Sequence, residues 1–92
     1  DAEAGSSRCM IGSVKYFAGN YTPKGWAHAN GQLLSVSGHS ALFAILNSRF
    51  GGRGIKTFAL PKIKSIKVGR ATIRAIICIK GSFPARAIKR KK

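Results

Sequence analysis

The sequence predicts an α+β fold: a small, mostly antiparallel β domain with one short α-helix at about residues 40–50. Three observations carry this. "ATIRAIICIK", Ala71 to Lys80, alternates with a strand's period of two. Ile73, Ala75, Ile77 and Ile79 fall on one face, and Thr72, Arg74, Ile76, Cys78 and Lys80 on the other. "WAHANGQLLSV" sets Asn30-Gly31 between apolar flanks, a strong hairpin signal. "SGHSALFAILNSRFGG" offers Ser37 or Ser40 as a cap, then Ala41, Leu42, Ala44, Ile45 and Leu46 at helical spacing, with Gly51 as a stop.

Taken in order, residues 1–8 are small and polar and read as a flexible leader. A first strand is expected over Cys9 to Phe17, with Val14 and Tyr16 on one side and Ser13, Lys15 and Phe17 on the other. "AGNYTPKG" is turn chemistry, because Gly19 and Asn20 tolerate positive φ and Pro23 fixes φ while withholding a donor. The Asn30-Gly31 hairpin then joins strands near Gly25 to Ala29 and Gln32 to Val36. The helix spans Ser40 to Phe50, and "GGRG" after it is a loop without P-loop spacing, since no Gly-Lys-Ser/Thr follows. In "KIKSIKV" the alternation slips between Ser65 and Ile66, which predicts a bulge or an irregular edge. Ala71 to Lys80 has one fully apolar face and a second that is apolar in its middle, so it belongs at the centre of a sheet. One domain over residues 9–86 is expected, with a basic tail at 87–92.

Charge is the second theme. The chain has 92 residues, 17 Lys plus Arg and two acids, and a formal net charge of +15. Both acids, Asp1 and Glu3, lie in the leader, so ion pairs cannot brace the domain. Self-repulsion opposes the compact state, and the useful side of such a field is attraction to polyanions. A mean hydropathy of −0.01 and 45% hydrophobic residues set the chain apart from a disordered basic tail. No run approaches the roughly 18 apolar residues of a membrane span.

Two cysteines, Cys9 and Cys78, admit two states: a disulfide, or a pair of reduced thiols in a reducing compartment. A disulfide would close a loop of about 70 residues, which the chain-entropy model values at roughly 4 kcal/mol. That is large beside the roughly 5 to 15 kcal/mol margin of small domains. The start at Asp1 reads as processed or else trimmed, and secretion would suit the disulfide.

Catalytic and metal chemistry find little support. His28 and His39 have no neighbouring acid, and Cys9, His28, His39 and Cys78 contain no paired Cx2-4C or Hx3-5H unit. No enzyme activity, cofactor or metal is expected.

Residues 12–63, "GSVKYFAGNYTPKGWAHANGQLLSVSGHSALFAILNSRFGGRGIKTFALPKI", resemble the phage tail collar domain family. The resemblance rests on Phe-Ala-Gly-Asn, Pro-x-Gly-Trp, Asn-Gly-Gln-Leu-Leu, the Ala-Leu-Phe helix and Thr-Phe-Ala-Leu-Pro after a Gly-Gly-x-Gly loop. "IRAIICIKGSFPAR", Ile73 to Arg86, is similar to the last strand and Phe-Pro-x-Arg ending of longer members. The resemblance implies a tail-collar-like fold. Longer members carry an insert between the two blocks that in some tail fibres supplies metal ligands and intertwines three chains. Here only Lys64 to Thr72 bridge the gap, so neither the metal site nor the trimer carries over. Arg53 and Lys62 stand where the family typically has Asp, Lys80 where it commonly has Gln, and Cys78 where it has a small apolar residue.

The expected function follows from a folded core with a recharged exterior: a secreted, extracellular cationic antimicrobial protein that binds bacterial lipopolysaccharide or anionic phospholipid without spanning a membrane. The candidate anion-binding surface is Lys62, Lys64, Lys67, Arg70, Arg74, Arg86, Lys89, Arg90, Lys91 and Lys92, with Tyr16, Tyr21 and Trp26 as interfacial aromatics. Nucleic acid is the alternative polyanion, with "KRKK" on phosphates, and a phage-tail structural or adhesion module is the other alternative. A monomer is expected in dilute solution.

Overall fold

The computed structural model describes residues 9–84. The tail cations Arg86, Lys89, Arg90, Lys91 and Lys92 and the leader at 1–8 lie outside these residues, as does the C-terminal limit of the expected domain at residue 86.

The long alternating stretch forms the central strand. In chain order the strands are β1 (Cys9–Met10), β2 (Val14–Phe17), β3 (Trp26–His28), β4 (Leu33–Ser35), β5 (Thr57–Ala59), β6 (Ile66–Val68), β7 (Ala71–Cys78) and β8 (Gly81–Ser82), with one α-helix among the described residues, α1 (Ser40–Leu46), between β4 and β5. β7 pairs antiparallel with β2 along one edge, Val14 opposite Ile77 and Phe17 opposite Arg74. Its other edge is shared end to end, by β3 against Ile76 to Cys78 and by β6 against Ala71 to Ile73. β6 and β7 form a hairpin whose two-residue turn, Gly69-Arg70, has Gly69 at φ 59°, the Gly-first arrangement that suits strand twist. β4 and β5 make a separate antiparallel ribbon, and β1 runs parallel to β8.

The core lies on one face of this sheet. Ala75 and Ile77 of β7, with Ala29 beyond β3, pack against Leu42 and Leu46 of α1 and Phe58 and Leu60 of the ribbon strand and its exit. Ile73, near the start of the strand, and Ile79, just past its end, both expected to be buried with them, are only half-buried. Phe58, Leu42, Leu60 and Ile77 are fully buried, each worth about 1.5–3 kcal/mol of transfer free energy. Phe43 and Phe58 add a tilted ring contact at 5.3 Å.

Four local expectations need correction. The Asn30-Gly31 stretch turns the chain but closes no hairpin, because both flanks find other partners. Ala29 N–H donates to Ala75 O, Ile63 N–H donates to Ala29 O, and Leu60 N–H donates to Gln32 O. The turn is instead an Asx type, with Gln32 N–H donating to Asn30 Oδ1, and it carries the chain from the sheet to the ribbon. The single strand expected over Cys9 to Phe17 is broken at Ile11-Gly12. There Gly12 N–H donates to Cys78 O and Ser13 O accepts from Cys78 N–H, so two residues oppose one in a β-bulge, with Gly12 at φ 92°. The helix stops at Leu46, not Phe50, since Asn47 turns to φ 55° and Arg49 donates to the Ile45 carbonyl. Neither Ser37 nor Ser40 caps it; Ser35 Oγ accepts the Gly38 N–H ahead of a 3-10 turn over Ser37–His39. The slip in "KIKSIKV" is the irregular edge expected, for β6 begins only at Ile66.

Candidate cationic face and disulfide clasp

Residues directly opposite in an antiparallel ladder share a face, so the register sorts the sheet's side chains. Val14, Tyr16, Ala27, Ala75 and Ile77 share the core side. Lys15, Phe17, Trp26, His28, Lys67, Thr72, Arg74 and Ile76 share the outer side. Ile76 is 1% exposed on that outer face, in register with Lys15 and His28, whose long side chains can cover apolar surface while keeping their polar ends in water. Lys15 Nζ stands 4.6 Å from the Trp26 ring centroid, a cation–π contact. Phe17 and Tyr21 meet edge-on at 5.3 Å. His28 Nε2 and Thr22 Oγ1 share a hydrogen bond of 3.1 Å.

Of the cations expected to form an anion-binding surface, the described ones divide. Lys67 and Arg74 come together on the outer face, and Arg70 is exposed at the tip of the β6–β7 hairpin. Lys62 forms an isolated bridge with Asn30 at the sheet's edge, and Lys64 lends its backbone carbonyl to Tyr16 Oη. Arg49, Arg53 and Lys56 lie near the far end of α1 and the loop after it, so positive charge is not confined to one face. Sequence reasoning missed Lys15. Its opposition to Val14 and Tyr16 was readable from alternation, but its partnership with Arg74 and Lys67 needed the register of β7.

The three aromatics do not form one belt. Tyr21 is 63% exposed and joins the outer face through Phe17; Tyr16 points to the other side of the sheet; Trp26 is half-buried beneath Lys15 and packs against the core.

Cys9 and Cys78 are bonded, with Cα atoms 6.0 Å apart. The bond ties β1 to the buried end of β7, where the β1–β8 ladder and the Ile11 N–H to Ser82 O bond close the chain on itself. A Cβ on Gly81 would collide with the Cys9 carbonyl, so this clasp demands glycine. Among the described residues no group of His, Cys, Asp or Glu could hold a metal, and no helix is long and apolar enough to cross a membrane.

Residues 12–66, the stretch that builds the Asx corner, the short helix and the glycine-rich loop before β5, match the family model of the phage tail collar domain. The chain belongs to that family. No curated protein and no solved structure matches it. As a collar domain it carries a structural phage-tail module, a class that is not typically enzymatic. The match begins at the bulge and ends at the first residue of β6. Both cysteines, the central strand β7, and Lys67, Arg70 and Arg74 therefore lie beyond it. Residues 64–72, read from the sequence as a shortened bridge, hold β6, its turn and the first two residues of β7.

Proposed function

We propose that this collar domain is a secreted cationic protein that binds the anionic surface of bacterial envelopes, lipopolysaccharide or anionic phospholipid, and thereby acts against bacteria. One observation carries the reading: the sheet's outer face gathers Lys15, Lys67 and Arg74 beside Trp26, Phe17 and Tyr21, with no carboxylate anywhere from Cys9 to Pro84 to neutralise them. A cation near an anionic membrane is worth about 1 kcal/mol. Lys15, Lys67, Arg70 and Arg74 together then supply about 4 kcal/mol, millimolar binding. Tighter contact draws on Tyr21 entering the interface and on the further cations of the sequence, Arg86 and Lys89 to Lys92. The disulfide fits an oxidising, extracellular setting.

The family match favours a second reading, a structural tail module whose outer face docks on another protein. The two separate in sedimentation with vesicles of phosphatidylglycerol and phosphatidylcholine, with lipopolysaccharide, and with duplex DNA, each across a salt series. Envelope binding predicts capture by anionic vesicles and lipopolysaccharide that outlasts DNA binding as salt rises. A protein that ignores both at low salt is a structural module, and one that prefers DNA is a nucleic-acid binder.

A further inference from the structure

Along the outer edge of β7, β3 ends at His28 and β6 does not begin until Ile66. The interval holds a cavity of about 130 Å³, with His28, Asn30, Ser65 and Arg74 supplying its polar wall and Ala29, Ile63 and Ala75 the rest. That is roughly ten times the about 10–15 Å³ that a single water needs and below the roughly 300–1,000 Å³ of pockets for drug-sized molecules. It suits a single small polar group.

The chemistry of the wall selects which group. Arg74 is half-buried and donates no hydrogen bond among the described residues. Asn30 turns Oδ1 toward the Gln32 amide, which leaves its NH2 as the free end. Ser65 adds a hydroxyl. A regular antiparallel pair exchanges two backbone bonds, yet Ala29 and Ala75 show only one: Ala29 N–H donates to Ala75 O, while Ala29 O is taken by Ile63 N–H. The Ala75 N–H is thus a further donor at the cavity, without a backbone acceptor among the described residues. The half-buried Arg74, the Asn30 amide, the Ser65 hydroxyl and the Ala75 backbone thus line one pocket with no carboxylate to compete, a donor set suited to a tetrahedral oxyanion.

We propose that this cavity is a phosphate-binding site, with Arg74, Asn30, Ser65 and the Ala75 N–H as its donors. The inference rests on the envelope reading only for the origin of the phosphate, a phosphomonoester on a lipid or lipopolysaccharide headgroup; the site itself stands on its own geometry.

Two experiments separate these levels. In the first, inorganic phosphate is titrated into the labelled, oxidised protein and backbone amide shifts are followed, with acetate as the control anion. Saturable movement of Ala75, Asn30 and Ser65 by phosphate and not by acetate is expected. Arg74→Gln weakens it about tenfold, as loss of one charge-assisted hydrogen-bonding group should. Asn30→Asp, which keeps the acceptor for Gln32 but puts a carboxylate in the wall, weakens it at least as much. Lys56→Gln, equal in charge change but remote, changes it less than about twofold if the effect is local rather than Debye-screened net charge. Non-saturating shifts, equal loss in Arg74→Gln and Lys56→Gln, or Asn30→Asp binding like the wild type would each overturn the site. In the second, vesicles of phosphatidic acid and lipopolysaccharide before and after phosphatase treatment compete with phosphate for the same amides. Competition only by the phosphorylated forms supports a headgroup origin. Phosphate binding without such competition keeps the site and removes the envelope as its source.

Discussion

The two ends of β7 do different work. From Ala75 to Cys78 every residue is buried, β2 and β3 flank the strand, and the Cys9–Cys78 bond clasps it to β1. From Ala71 to Arg74 nothing is fully buried, the short β6 pairs with Ala71 to Ile73 and only Phe17 of β2 reaches Arg74, and the neighbours are Lys67 and Arg70, with Ile66 and Val68 exposed. One strand thus passes from a core element to a projecting cationic hairpin within eight residues. Without acids to form ion pairs, the domain concentrates its apolar burial and its crosslink at one end, which frees the other to carry charge that contributes nothing to stability. Stability and contact should therefore be separable by mutation along a single strand.

The largest expected effect breaks the buried end. Ile77→Ala should lose about 2–5 kcal/mol, seen as a fall in the urea midpoint, whereas Ile73→Ala should lose about 1 kcal/mol or less because its side chain is already half exposed. Equal losses would erase the contrast. Removing the disulfide by Cys9→Ala with Cys78→Ala should cost about 2–4 kcal/mol, read from the same urea transition against the oxidised wild type. Next comes the clasp: Gly81→Ala should destabilise by about 1–3 kcal/mol, since the new methyl must push the Cys9 carbonyl away, and scanning calorimetry measures it. The smallest effect concerns the charged end. Raising sodium chloride from about 10 to 150 mM shortens the Debye length from about 30 to 8 Å. This should raise the melting temperature by about a few degrees by screening self-repulsion, and Lys67→Gln should raise it at low salt only.

How much of this was legible depended on whether an element's partner was local. β7 was readable because ten alternating residues leave one period, and the sequence placed it centrally, as found. The α+β class, the short helix and the family followed from Ala41 to Leu46, the glycine loop and the Thr-Phe-Ala-Leu-Pro run. The Asn30-Gly31 hairpin failed because a turn signal reports only that the chain reverses. The flanks were claimed by Ala75, Ile63 and Leu60, residues 28 to 46 positions away, and no local pattern encodes that. The cationic face was half legible: Lys67 and Arg74 were singled out, while Lys15 joined them through β2–β7 pairing and Lys62 and Lys64 fell to the edge. The cavity at Arg74 was invisible, since it arises where β3 ends before β6 begins.

On the proposed function, the hairpin end of β7 is a contact surface that the fold does not need. Its most direct test is a variant carrying Lys67→Gln, Arg70→Gln and Arg74→Gln, measured for binding to phosphatidylglycerol vesicles and for thermal stability in the same buffer. Three cations at about 1 kcal/mol each predict a loss of affinity of about a hundredfold with a melting temperature equal to or above the wild type's. Unchanged vesicle binding, or a loss of affinity matched by a loss of fold, would contradict it.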